Sequence, residues 1–108
     1  MTTEELRDWH AIQKGWKNLG GGYWTPDKVP SYRCFSHPFP HTLDGAASAM
    51  PVEWWWLRNA EDGEPLYWFA FHRNSRCSYQ VIPDSDDEIH DRYLLAKLAK
   101  EAMNANPR

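Results

Sequence analysis

A chain of 108 residues, 42% hydrophobic and 25% charged, has material for one domain around one core and too little for two. Its formal net charge of −3 excludes a general electrostatic hold on nucleic-acid backbones or anionic membranes, though not a local basic patch. No apolar run nears the ~18 residues that suggest a membrane-spanning helix. The leading "MTTEELRDWH" is polar and acidic where a signal peptide would be basic and then greasy. The expected location is therefore the cytoplasm, with Cys34 and Cys77 reduced rather than bridged.

Residues 3–18 predict an amphipathic helix. Thr2 and Glu5 have capping-box spacing, and Leu6, Trp9, Ile12 or Gln13, and Trp16 recur at helical intervals. The three glycines at 20–22 are expected to close that helix, because glycine supplies the left-handed backbone of a C-terminus. With no strand before them and no Lys-Ser or Lys-Thr after, they do not read as a phosphate loop. Residues 23–31 read as a loop broken by Pro26 and Pro30, and "SYRCFS" alternates enough for a short strand. "HPFPH" is held extended by its prolines. Thr42 then caps a short helix through "LDGAASAM", which Pro51 stops.

Residues 53–58 and 66–72 predict a β-hairpin joined by the polar "NAEDGEP", and "CSYQVI" predicts a third strand after "RNSR". The last helix opens in "PDSDDEIHD" with a Ser85–Glu88 capping spacing and an acidic first turn. Its stripe of Ile89, Tyr93, Ala96, Ala99 and Met103 is widened by Leu94, Leu95 and Leu98, so it should lie well buried on a sheet.

Strand side chains alternate, so in "EWWWL" Trp54 and Trp56 face one way and Trp55 the other. Leu66, Trp68 and Ala70 likewise oppose Tyr67, Phe69 and Phe71. Both faces of the hairpin are apolar, which predicts helices on both. The expected fold is α+β: an α-β-α sandwich with a three- to four-stranded, mainly antiparallel sheet and helical layers on its two faces.

"KGWKNLGGGYWTP", a following tyrosine and "TLDGAASAMPVEW" resemble the phage ABA-sandwich domain, a family of small phage and prophage proteins. The resemblance rests on Gly15, Trp16, Tyr23, Trp24, Pro26, Tyr32, Leu43, Ala46, Ala47, Pro51 and Trp54, and spans roughly residues 5–103. It implies a first helix ending near Gly15-Trp16, an Ala-rich second helix, a Trp-bearing strand and a closing Ala/Leu-rich helix. The nine residues at 33–41 and Glu53 depart from that pattern. The resemblance implies fold and phage origin, and no active site.

Three clusters bear on chemistry. Cys34 and His37, with His72 and Cys77, form paired spacings from which a zinc site can be drawn, against a reading as small core cysteines and surface histidines. His41 stands near the first pair. "DSDDEIHD" offers carboxylates for Mg²⁺ or Ca²⁺ but has no EF-hand register, so an acidic helix start is the plainer account. Arg33, Arg73 and Arg76 interleave with Trp24 and Tyr32 as in single-strand binders, against a Trp-rich core with solvated turn arginines. No nucleophile stands with its base and orienting group, and Cys34 beside His37 is a weak pair.

The expectation is a non-enzymatic accessory protein without cofactor that binds a protein partner, in one concrete form a host or anti-phage defence protein. Tyr23, Trp24 and Trp55 are its leading contact residues, because surplus exposed aromatics make interface hot spots. Nucleic acid through Arg33, Arg73 and Arg76 is the alternative, and a zinc-stabilised domain the third. A Trp-rich edge strand also permits a homodimer, and no membrane is involved.

Overall fold

The computed structural model describes residues 1–28, 33–59, 66–74 and 79–105. Three helices, α1 (Thr3–Gln13), α2 (Leu43–Ala49) and α3 (Glu88–Ala105), accompany five strands: β1 (Trp16–Gly20), β2 (Tyr23–Pro26), β3 (Trp54–Asn59), β4 (Tyr67–His72) and β5 (Tyr79–Pro83). β1 and β2 form an antiparallel hairpin, and the other three a separate antiparallel sheet in the order β3-β4-β5. The α+β class and the three-stranded antiparallel sheet are those the sequence predicts.

The first helix is shorter than its periodicity suggests. Thr2 accepts from the Glu5 amide and Glu5 returns a bond to the Thr2 amide, so the capping box forms. Gly15, at φ +88°, then turns the chain out of the helix. Trp16 continues into a strand, and the three glycines at 20–22, all at positive φ, make a hairpin turn instead of a helix stop. The predicted loop at 23–31 thus begins as β2. The helix end implied by the family resemblance, near Gly15-Trp16, fits better than the one read from periodicity.

Thr42 caps α2 through the Gly45 amide at 2.9 Å, as expected. Gly45 sits where a side chain has no room: a Cβ there would lie 2.7 Å from the Tyr93 hydroxyl. That hydroxyl donates to the Pro40 carbonyl at 2.7 Å and ties the loop before α2 to α3. Ser31 and Tyr32 of "SYRCFS" lie outside the described residues, but Phe35 pairs with Trp24 in an isolated bridge. At α3 the cap is Asp87, whose Oδ1 accepts from the His90 amide, rather than Ser85.

Ser85 belongs to another device. Asp91, 1% exposed, accepts from the Ser85 hydroxyl at 2.7 Å, the Ser85 amide at 2.9 Å and the Trp68 indole at 3.1 Å. One buried carboxylate therefore fixes the first turns of α3, the chain leading into it and the middle of β4. Full hydrogen bonding is what makes a buried charge tolerable.

The layer order is decided by what α3 touches. α3 packs on β4 and β5, while α1 and α2 pack on α3. Trp54, Trp68, Ala70 and Ile82 are buried with Leu6, Tyr93, Leu95, Ala96 and Ala99 in one cluster, against which Trp56 also packs. The second helical layer thus lies beyond α3, where the expected sandwich would place it across the sheet. The sheet's other face is covered by no helix among the described residues. Helices bury apolar stripes against whatever is apolar, and α3, with an apolar face this wide, offers α1 and α2 a partner of its own.

Candidate binding surface

Strand register builds the uncovered face in three rows. Trp55, Phe71 and Tyr79 are cross-strand neighbours, as are Leu57, Phe69 and Val81, and Asn59, Tyr67 and Pro83. None of these nine side chains is charged. Trp55 is 51% exposed and Tyr79 59%, and Leu57, Tyr67, Phe71 and Val81 are exposed as well. Cross-strand pairs of this kind steady a sheet by roughly 0.2–1 kcal/mol each. Taking about 200 Å² for a large side chain, the exposed apolar area here is on the order of 500 Å², the size at which surface patches are commonly functional.

The opposite residues of the same strands explain why this face is free to be apolar. Arg58, Trp68 and Ile82 form an inner row, as do Trp56, Ala70 and Gln80, and this face rests on α3. Arg58 pairs with Asp84 and lies 5.5 Å from the Trp68 ring. Its charge is held on the inner side: the Asp84 carboxylate raises the guanidinium's pKa, while the Asp86 amide first, and Arg58 after it, lower that of Asp84.

At one corner of the outer face the Arg73 guanidinium lies 4.8 Å over the Trp55 ring. A shallow cavity of about 410 Å³ adjoins it, lined by Met50, Pro51, Val52, Trp54, Trp55 and Arg73 among others. Its polar side-chain groups are indole N–H and guanidinium, all donors. The buried Trp54 indole N–H has no acceptor among the described residues. The corner therefore combines the exposed Trp55 ring with the Arg73 guanidinium, whose donors an incoming carboxylate or carbonyl satisfies.

The residues singled out from sequence separate into groups. Trp55 and Arg73 come together at this corner. Trp24 does not join them: it is 3% exposed, exchanges backbone bonds of 2.8 and 2.7 Å with Phe35, and packs 4.8 Å from the His37 ring. It is a core residue. Tyr23 is exposed beside the β1–β2 turn, and Arg33 is exposed with its carbonyl taken by the Thr25 hydroxyl. Arg76 lies outside the described residues. Leu57, Tyr67, Phe71, Tyr79 and Val81 were not singled out, although the alternation that placed Trp55 opposite Trp54 and Trp56 marks them too.

Among the described residues the members of the drawn zinc set, Cys34, His37 and His72, are not brought together to hold a metal. Both ring nitrogens of His37 are occupied, Nε2 with Asp8 at 2.9 Å and Nδ1 with the Phe39 amide at 2.9 Å. Burial depresses the His37 pKa, and the Asp8 hydrogen bond partly restores it. His72 is likewise engaged, with Glu53 at 3.1 Å and the Asn74 amide at 3.2 Å. Cys34 is exposed, and Cys77 lies outside the described residues. Among the described residues, no group of three or more His, Cys, Asp or Glu is placed to hold a metal ion. In "DSDDEIHD", Asp84 pairs with Arg58, Asp87 caps α3 and Asp91 turns inward.

Compared with protein-family models, curated proteins and solved structures, the chain finds no match in any of the three. The likeness to the phage family is thus carried by the quoted residues alone. Among the described residues no helix is long and apolar enough to cross a membrane.

Proposed function

We propose that this chain acts by binding a protein partner through the outer face of the three-stranded sheet, with Trp55 and Tyr79 as anchors. One observation carries the reading: nine cross-strand neighbours without a charge leave an aromatic surface open to water on a sheet whose other face is fully used. Interface cores are depleted in charge and enriched in Trp, Tyr and Phe, and the ~500 Å² here with its polar rim approaches the ~800 Å² per partner of a standard interface. The Arg73 guanidinium over the Trp55 ring suits a partner carboxylate or carbonyl at the rim. In one concrete form, taking the phage origin that the family resemblance implies, the chain is a cytoplasmic accessory protein and its partner a host or anti-phage defence protein that it inhibits.

Site-specific photo-crosslinking from positions 79, 81 and 57, with 101 as control, tests this in host lysate. The reading expects one protein captured from the three sheet positions and not from 101, with Trp55→Ala abolishing capture while leaving the thermal midpoint within a few degrees. Equal capture from all four positions, or capture indifferent to Trp55→Ala, overturns it. Crosslinking of the chain to itself, with a doubled mass by light scattering, makes the partner a second copy.

Single-stranded nucleic acid is the second reading, because exposed rings on an antiparallel sheet are a stacking platform. It requires salt-dependent binding that Arg73→Ala weakens. The uncharged outer face favours the protein partner.

A further inference from the structure

A second concave surface lies where the C-terminal ends of α1 and α2 meet the last turns of α3, adjoining the first along Met50, Pro51 and Val52. It is a groove of about 420 Å³ whose lining includes Phe39, Met50, Val52, Met103, Lys14 and Lys100, and among the described residues none of its lining is acidic. Lys14 Nζ stands 5.5 Å from the centre of the Phe39 ring and Lys100 Nζ 5.3 Å, so both ammonium groups gather at one aromatic wall.

Neither lysine has a carboxylate partner among the described residues, whereas Lys97 on the same helix pairs with Glu101 at 2.6 Å. The polar contact of Lys100 is His10 Nδ1 at 2.8 Å. His10 Nε2 lies 2.8 Å from the Tyr93 carbonyl, which only accepts. His10 therefore donates there, its Nδ1 accepts, and Lys100 is the donor to a neutral ring. Two cations share a partly desolvated groove with no anion between them among the described residues. Burial and then the Lys14 charge depress the Lys100 ammonium to a pKa of about 8. The partial negative charge at the ends of α1 and α2 offsets some of this repulsion, but the helix dipole is weak beside a full anion.

We propose that this groove binds a small organic anion, its phosphate or carboxylate head between Lys14 and Lys100 and its aromatic or short aliphatic body on Phe39, Met50 and Met103. The groove meets the cavity at the Arg73 corner along Met50, Pro51 and Val52, which line both, but its two lysines and Phe39 belong to the groove alone. A concave, mainly apolar lining with a few convergent charges is the usual make-up of a small-molecule site.

Titration of the full chain with phenyl phosphate and with benzoate, followed by NMR at low ionic strength, tests the assignment. Inorganic phosphate and benzyl alcohol serve as head-only and body-only comparisons. Saturable shifts at Met50, Met103 and Lys100 are expected with at least one of the two aromatic anions, and the stronger names the head group. Lys14→Gln and Lys100→Gln should each weaken that binding about tenfold, the loss of one charge-assisted contact. Lys14 sits at a helix end, so its variant stays informative if Lys100→Gln impairs folding. In reductively ¹³C-methylated protein the Lys100 pKa should rise as the anion binds. Absence of saturable binding by both anions, affinity unchanged in Lys14→Gln, or equal binding of benzyl alcohol overturns the proposal and leaves the lysines as counter-charges to the helix ends.

Discussion

Asp91→Ala is the sharpest test of how the sheet is fastened to its helix. The carboxylate accepts three bonds, two from Ser85 and one from the Trp68 indole, at 2.7–3.1 Å. Ser85 is exposed and recovers water when its partner goes, so its groups add little. Trp68 is 2% exposed, and its stranded N–H bears most of a desolvation cost of about 1–3 kcal/mol. Losing charge-assisted bonds and leaving a small cavity bring the expected destabilisation to about 3 kcal/mol. Asp91→Asn keeps one acceptor oxygen and should cost roughly half as much. Urea denaturation followed by tryptophan fluorescence measures both, and a cycle with Trp68→Phe isolates the shared term, expected at about 1 kcal/mol or more. If Asp91→Ala costs under ~1 kcal/mol, or the cycle shows no coupling, the carboxylate is not the clasp between α3 and β4.

Three further outcomes are expected. Fully buried His10 has its pKa pushed down to about 4, by desolvation first and by Lys100 and Lys97 after it, against the bond to the Tyr93 carbonyl. A histidine kept neutral in the fold but protonated at ~6.5 when unfolded contributes stability above pH 6.5 that is lost as pH falls toward 4. Between pH 7 and pH 5 His10 should account for a loss of about 2 kcal/mol, which His10→Gln should remove from the difference between urea midpoints at the two pH values. Gly45→Ala should destabilise by about 2 kcal/mol or more, because its Cβ would press on the Tyr93 hydroxyl and the Pro40 carbonyl; an unchanged thermal midpoint would contradict that packing. Tyr79→Ser on the open sheet face should change stability by under ~0.5 kcal/mol in thermal unfolding, whereas the same loss from a covered face would cost several times more.

What the sequence shows clearly is what alternation and capping specify. The opposition of Trp55 to Trp54 and Trp56, the β3–β4 pairing and the Thr2 and Thr42 caps follow from local periodicity and side-chain chemistry. What it hides is competition between partners. Trp16 sits at helical spacing from Trp9, yet Gly15 breaks the helix first and sends Trp16 into a strand. Trp24 looks like a surface aromatic in a proline loop, until Phe35 pairs with it from eleven residues away. Two-sided apolarity implies two covers, but α1 and α2 take α3 as their partner and leave the outer rows bare. The groove lysines are invisible in sequence because four chain segments converge to form their site.

The most direct measurement is the exposure of individual tryptophans in the monomer, read from assigned ¹⁵N-indole resonances with a soluble paramagnetic agent. An uncovered sheet face predicts strong broadening at Trp55 and protection at Trp24, Trp54 and Trp68. A Trp55 resonance as protected as that of Trp68 would mean that the outer rows are covered within the chain, and the binding surface assigned to them would not exist.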